Sequence, residues 1–254
     1  MKIKGVFFDF GFVIGYPRAG IDRKYFYLDW DGIDSILEDQ ELAQFLRAGV
    51  GRRELEAFLD REIYRVFVQH EQTDSVDPQT NNILLDKLHH VLICQISQPV
   101  VDRLLAHIDP MKYISIDTQA VKVILELKRR NYRLAIVSNM MLPGKLLMAK
   151  LQQARLLAYF DPVTVSSDVG FIKPHPEIFR RTLMQVKLKP DEVVFVGDTY
   201  RQDIVGAKHA GLRTVWLNTR HEPRAMAVDD PPDYEIERLA ELVEMPILYG
   251  QGFE

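Results

Sequence analysis

The segment VVFVGDTYRQDIVGAKHAGLRTVWL, residues 193–217, carries the pattern on which the fold prediction depends. Two short runs of consecutive apolar residues, 193–196 and 214–217, flank a stretch around 203–210 with the character of a helix. Short apolar runs without alternation are typical of strands that are buried on both faces, as in parallel sheets covered by helices. The segment therefore predicts a strand–helix–strand unit with two parallel strands.

The same alternation extends outward from this segment through the second half of the chain. The apolar runs at 134–137 and 162–166 predict two more strands, and IKGVFFDF at residues 3–10 predicts another near the N-terminus. Helices are expected at about 118–130, 145–157 and 176–186. After His221, an acidic Pro-containing turn, a short extended piece and a final helix are expected to close the sheet edge. We expect an α/β fold with a Rossmann-like parallel sheet.

The stretch between residues 16 and 112 interrupts this alternation and contains no convincing strand. Apolar residues recur there at helical spacing in four places, 42–46, 55–66, 84–92 and 100–105. We therefore expect a helical cap at residues 16–112, inserted after the first strand of an α/β core formed by 1–15 and 113–254. Because the insertion leaves and rejoins the ligand-binding end of the sheet, it is well placed to act as a lid. A purely structural helical subdomain is the alternative.

The composition is that of an ordinary globular protein, with 254 residues, 47% of them apolar and 27% charged. A net charge of −4 gives no reason to expect nucleic acid or an anionic membrane surface as a partner. The single cysteine, Cys94, excludes an internal disulfide framework and suits a reducing compartment. No apolar run is long enough for a membrane span, and the N-terminal run is too short for a signal peptide. We therefore expect a cytoplasmic protein.

Polar residues follow the predicted strands at the points where the strands end. They are Asp9 after the first strand, Ser138 and Asn139 after the second, Ser166 to Asp168 after the third and Asp198 after the fourth. Carboxyl ends of parallel strands form the ligand-binding edge of such a sheet. Two carboxylates that face each other there repel unless a cation lies between them, and oxygen ligands favour Mg²⁺. Lys173 would add a positive charge. Taken singly, such residues also have structural uses, for example as helix caps.

Four segments resemble, in the same order, the motifs of the haloacid dehalogenase-like hydrolase superfamily. They are FFDFGFV (7–13), IVSN (136–139), GFIKPHPEIF (170–179) and VFVGDTYRQDIVGAKHAGL (194–212). The resemblance covers about residues 1–15 and 113–240, and the position of the insertion resembles the superfamily's C1-type cap. The F-D-x-G-x-V form of the first motif resembles the branch of glucose-1-phosphatase-like enzymes and the N-terminal domains of epoxide hydrolases.

The resemblance implies a nucleophile and a magnesium site. Asp9 matches the nucleophile, which attacks phosphorus and becomes an aspartyl-phosphate. Asp9 and Asp198 match metal ligands, and the backbone carbonyl of Gly11 matches a third. Asp203 matches the second acidic residue of the fourth motif, which orders metal-bound water.

The resemblance also implies residues that bind the phosphoryl group. Ser138 matches a residue that donates a hydrogen bond to a phosphoryl oxygen, and the backbone amide of Asn139 is placed to join it. Lys173 matches the cation that holds the nucleophile and the phosphate together. Thr199 is a weaker candidate for a supporting hydrogen bond.

The sequence departs from the superfamily pattern at Gly11, where the first motif normally has a second Asp. That Asp protonates the leaving group and later activates water, and positioned acid–base groups typically contribute about 10²–10⁴-fold to rate. The resemblance therefore implies a Mg²⁺-dependent phosphatase of small phosphorylated metabolites that works without this acid. The missing acid should slow the hydrolysis of substrates with good leaving groups least. If Gly11 has a positive φ, restoring the Asp would only strain the loop.

Three alternatives stay open from the sequence. A catalytically weak binding or regulatory protein could use the same scaffold. A 2-haloacid dehalogenase also lacks the second Asp, since halide needs no proton, but it lacks the carboxylate pair that Asp198 and Asp203 provide here. A phosphonoacetaldehyde hydrolase would need a Schiff-base lysine in the cap, for which Lys24 is the candidate.

Overall fold

The structure is a computed structural model that describes residues 2–21, 28–65, 97–221 and 230–248. Its centre is a six-stranded sheet with the order β5-β4-β1-β6-β7-β8, in which all neighbouring strands are parallel. The strands are β1 Gly5–Phe8, β4 Arg133–Ser138, β5 Phe160–Val165, β6 Val193–Gly197, β7 Arg213–Leu217 and β8 Tyr234–Ile236. The predicted α/β fold with a parallel sheet is confirmed.

The sheet is covered on both faces, which explains why its central strands are continuously apolar. On one face, Phe8 belongs to an apolar cluster that includes residues of α5 Thr118–Arg129 and α6 Gly144–Gln153. On the other face, Phe7 belongs to a cluster that includes residues of α8 Pro176–Val186 and α9 Gly206–His209. Successive residues of β1 thus alternate between two dry layers, and all four are buried.

The described part of the chain between Leu28 and His107 is mostly helical. Its helices are α1 Gly32–Glu38, α2 Gln40–Ala43, α3 Arg52–Phe58, a π-helical stretch Leu59–Tyr64 and α4 Gln98–His107. They share an apolar cluster of their own, which Leu142 from the loop after β4 also joins. The helix expected at 84–92, like Lys24, lies outside the described residues. The division of the chain into core and cap at residues 16 and 112 remains a prediction.

The prediction of no strand from residue 16 onward is wrong at the boundary of this region. Here β2 Gly15–Pro17 pairs antiparallel with β3 Ile114–Ile116, so the two connections run side by side as a ribbon. A three-residue strand is too short to show a period in the sequence. Gly15 is required at this position, because a Cβ there would lie 2.5 Å from the ring of Phe10.

Two helices also differ from the prediction. The predicted helix at 203–210 begins earlier, as a π-helical stretch Tyr200–Val205 that continues into α9. The final helix is instead two 3-10 turns, Leu239–Glu244 and Pro246–Leu248, because Pro246 at the start of the second turn lacks the N–H that a continuing helix needs. A short helix, α7 Ser166–Val169, follows β5 directly. Within the described residues, no helix combines the length and apolar character that a membrane crossing requires.

Candidate active site

The candidate site lies at the carboxyl edge of three adjacent strands, β4, β1 and β6. Phe8, the last residue of β1, is in register with Ile136 of β4 and Val196 of β6. The residues that follow these positions therefore meet at one edge of the sheet, as parallel pairing requires. The structure thereby brings Asp9, Ser138 and Asp198 to the same place, and all three are buried.

Three carboxylates form the acidic cluster of this site. Asp9, Asp198 and Asp203 each offer one oxygen, and these oxygens lie within 4.8 Å of one another. Asp203 arrives on the π-helical stretch after β6, and its Oδ2 accepts a hydrogen bond of 2.9 Å from the backbone N–H of Thr199. The Thr199 hydroxyl donates to Asp198 Oδ1 at 3.4 Å, so this residue supports the two carboxylates of its own segment.

Gly197 makes room for Asp203 beneath the cluster. A Cβ at this position would lie 2.3 Å from the Cβ of Asp203 and 2.4 Å from its Oδ2. Gly197→Ala should therefore displace the carboxylate, and misplacement by about 1 Å costs catalysis about 10²-fold. We expect turnover to fall by that order while circular dichroism stays unchanged. Gly51→Ala is the control, since a Cβ there only approaches Glu54 Oε2, at 3.3 Å. Equal turnover of Gly197→Ala and wild type would contradict this account of the site.

Lys173 is the buried cation of the cluster. Its Nζ lies 2.9 Å from Asp9 Oδ1 and 2.7 Å from Asp203 Oδ1, and its side chain is 1% exposed. The side chain of Asn139 fixes the Lys173 backbone from both sides, accepting from its N–H at 2.8 Å and donating to its carbonyl at 3.1 Å. The Asn139 side chain thus positions Lys173, a contact that the sequence did not indicate.

The shifted pKa values of the cluster indicate that it holds more negative charge than its basic residues neutralise. Burial, together with the charges of Asp203 and Asp9, raises the pKa of Asp198 to about 7. Burial also raises the pKa of Asp203 to about 6, against the opposing influence of Lys173. Burial alone lowers the pKa of Lys173, but the charges of Asp203 and Asp9 outweigh it and the pKa is raised. A divalent cation among the carboxylates would neutralise this excess negative charge.

A comparison with known protein families identifies the family to which this fold and these motifs belong. A family model described as haloacid dehalogenase-like hydrolase matches residues 53–217, more than half of the chain. The chain belongs to this family of hydrolases.

Several relatives of this chain are named as phosphatases. The glyceraldehyde 3-phosphate phosphatase of Pyrococcus furiosus is 33% identical over 129 residues, which are 50% of this chain and 52% of that protein. Pyrophosphatase PpaX of Bacillus mycoides is 34% identical over 127 residues, 50% of this chain and 57% of that protein. The chain thus spans about half the length of these two relatives. The glyceraldehyde 3-phosphate phosphatase of Methanopyrus kandleri is 26% identical over 226 residues, 85% of this chain and 94% of that protein.

Solved structures of the family share the fold of this chain. The HAD phosphatase from Thermococcus onnurineus has a TM-score of 0.57 at 25% identity, with 96% of this chain and 97% of that chain covered. A 2-haloacid dehalogenase from Pseudomonas syringae has a TM-score of 0.62 at 20% identity, with 98% and 100% covered. The second likeness concerns the fold alone.

The carboxylate cluster has a donor set that fits Mg²⁺. The clustered side chains offer only carboxylate oxygens, which hard cations prefer, and the cluster is buried with one lysine against three acids.

Gly11 lies two residues after Asp9, where its backbone forms an isolated bridge with Gly15. The described glycines with a positive φ do not include Gly11; its neighbour Phe12 has the left-handed backbone, with φ 55°. The alternative that Gly11 serves a positive φ is therefore wrong.

Ser138 lies in the site with its hydroxyl available to a ligand. It is 4% exposed, and its hydroxyl makes no hydrogen bond to the residues that the structure describes. Such a buried, unsatisfied hydroxyl favours a ligand oxygen as its partner.

The polar residues after β5 do not join the site, contrary to expectation. Ser166 Oγ bonds the N–H and the carbonyl of Met140, and Ser167 Oγ donates to the carbonyl of Leu142. Asp168 accepts from the N–H of Gly144. These three side chains hold the loop that follows β4, and they fix the direction in which the chain leaves Ser138.

Arg220 is a site residue that the sequence analysis missed. It lies in the loop after β7, and its Nη2 donates to Asp198 Oδ2 at 2.7 Å. Its guanidinium also lies over the ring of Phe12, 5.6 Å from the centroid. Its position in the sequence could have indicated this role, because Arg220 lies three residues after the end of β7, at the edge of the sheet where the aspartates lie. Trp216 completes the surroundings by donating to the backbone carbonyl of Asp198 at 3.0 Å.

Proposed function

We propose that this hydrolase is a Mg²⁺-dependent phosphatase that acts on a small phosphorylated metabolite through an aspartyl-phosphate on Asp9. The observation that carries the proposal is the contact of buried Lys173 with Asp9 and Asp203, within a cluster of three carboxylates at the sheet edge. The phosphatase names of its relatives support the same reaction class.

In the first step, Asp9 is the nucleophile. Lys173 holds Oδ1 of Asp9, which leaves the other carboxylate oxygen to attack phosphorus. The bond from that oxygen to phosphorus forms, and the bond from phosphorus to the leaving oxygen breaks with its electron pair. Water then cleaves the aspartyl-phosphate, which releases inorganic phosphate and restores the carboxylate. Splitting one difficult displacement into two is the advantage of such covalent catalysis.

The phosphoryl oxygens require donors and positive charge. We assign the Ser138 hydroxyl and the backbone N–H of Asn139 as donors, and Lys173 as the cation that bridges Asp9 and the phosphate. When bound, Mg²⁺ would be held by Asp9, Asp198 and the carbonyl of Gly11, with Asp203 nearby, and would neutralise phosphoryl charge. Lys173 is confined by its two carboxylates and by Asn139, so it is preorganised for this role.

Gly11 determines which leaving groups the enzyme handles. Because the residue carries no acid, the leaving oxygen departs without a proton from this position, and aryl or acyl phosphates should be hydrolysed faster than alkyl phosphates. Gly11→Asp is expected to raise kcat/KM for glycerol phosphate by about 10²-fold, the lower end of acid–base contributions, and to change p-nitrophenyl phosphate little. Gly11→Asn has nearly the same shape without the acid and is the control. An equal increase in kcat/KM for the two variants, or no increase, would contradict the explanation.

The function itself is tested by phosphate release from a panel of phosphorylated metabolites with MgCl₂ and with EDTA. We expect release that depends on MgCl₂ and is strongest for good leaving groups. No metal-dependent turnover would favour the alternative of a binding or regulatory protein. Chloride release from 2-chloropropionate would indicate a dehalogenase. The Asp198 and Asp203 carboxylates argue against that activity, because dehalogenases of this superfamily lack the pair.

A further inference from the structure

The ion pair between Arg220 and Asp198 has consequences for the binding of cations. Asp198 is 4% exposed at its side chain, whereas Arg220 is 42% exposed. Of the two oxygens of Asp198, Oδ2 accepts from Arg220 at 2.7 Å and Oδ1 faces the hydroxyl of Thr199 at 3.4 Å. The carboxylate that would ligate a cation therefore already has a counter-ion.

The two basic residues of the site differ in their freedom to move. Lys173 is confined, since its side chain is 1% exposed and contacts both Asp9 and Asp203. Arg220 approaches the cluster from an exposed position in the loop after β7. A cation that enters the cluster meets the repulsion of both, but only Arg220 has solvent on one side into which its guanidinium can withdraw.

We propose that Arg220 is the counter-ion of Asp198 in the cation-free protein and competes with Mg²⁺ for that carboxylate. Arg220 is thus a positioning residue, which sets the affinity for Mg²⁺ through Asp198. The inference rests on the proposed function, because it takes the three carboxylates as the magnesium site. The competition lowers the affinity for Mg²⁺, and the contact with Arg220 holds the Asp198 carboxylate in place while the cation is absent.

The test is a calorimetric titration with MgCl₂ alone, at constant ionic strength, with no substrate present. For Arg220→Gln we expect a Kd for Mg²⁺ about three- to tenfold lower than for wild type, as for the loss of one partly exposed charge. Arg220→Lys keeps the charge and should therefore lower the Kd less than Arg220→Gln does. Arg129→Gln is the matched control, because it removes an exposed arginine whose partner is Glu126, away from the cluster. It should leave the Kd unchanged.

A second measurement separates this role from a merely structural one. Without Mg²⁺, Arg220→Gln should melt at a lower temperature than wild type, and saturating MgCl₂ should close the difference. A structural role would lower the melting temperature but would not tighten Mg²⁺ binding. An equal or higher Kd in Arg220→Gln would overturn the role of Arg220 alone. If none of the four proteins binds Mg²⁺, the magnesium site of the proposed function is wrong, and this inference fails with it.

Discussion

Asp9→Asn is expected to lower the rate of phosphate release by at least about 10³-fold, since the neutral amide is a poor nucleophile. The substitution keeps the size of the side chain at the end of β1, so the loss would reflect chemistry. Initial rates on p-nitrophenyl phosphate with saturating MgCl₂ measure the effect. A second readout is the mass of acid-quenched protein, in which wild type should carry a phosphoryl group and Asp9→Asn should not.

Asp161→Asn is the control for this experiment, because it makes the same chemical change at an exposed position of β5. It should retain the full rate. If Asp9→Asn keeps more than a tenth of the wild-type activity, Asp9 is not the nucleophile and the proposed reaction must be abandoned. A phosphoryl group found on another residue would lead to the same conclusion.

Lys173→Met is expected to remove both activity and stability. Without the ammonium group, Asp9 and Asp203 lose their shared cation inside the protein, and breaking a buried ion pair in this way typically costs about 3–5 kcal/mol. Activity should fall by about 10²-fold or more, because the nucleophile and the phosphate lose the charge that holds them together. Urea denaturation and initial rates measure the two effects.

The stability deficit of Lys173→Met should shrink when MgCl₂ is added or when the pH is lowered. Burial already raises the pKa of Asp203 to about 6 although Lys173 opposes it, so removal of the lysine raises that pKa further. A folded-state pKa above the unfolded value means that the loss of stability is present at high pH and disappears below the unfolded pKa. Lys145→Met, at an exposed lysine, is the control. A deficit independent of both pH and Mg²⁺ would contradict this electrostatic explanation.

The placement of Asp9, Ser138 and Asp198 was predictable because it follows from regular geometry. Each residue ends or follows a short apolar strand, and parallel strands bring their carboxyl ends to one edge. Asp203 and Lys173 were found by motif resemblance, since neither lies directly at a strand end. The structure joins them at 2.7 Å, a contact between residues thirty positions apart that no local pattern determines.

The contacts that refine the site were not predictable from local patterns. The sequence places Asn139 and Asp168 among the residues that follow strand ends, but Asn139 holds the backbone of Lys173 and Asp168 accepts from the first N–H of α6. Arg220 reaches Asp198 from a loop whose sequence shows only a run of polar residues. Side chains on loops have no period, so their direction depends on the packing of the elements around them.

The sequence by itself determined the parallel α/β sheet, the edge at which the candidate site lies and the position of Asp9 and Asp198 at that edge, because strands buried on both faces appear in the chain as short apolar runs and parallel pairing brings their carboxyl ends together. Only the tertiary structure decided which cation faces which carboxylate: Lys173 lies between Asp9 and Asp203, and Arg220 lies on Asp198. It also decided that the connections at 15–17 and 114–116 pair as a ribbon. Such pairings depend on distances between segments that are remote in the chain, and these distances exist only after the layers have packed.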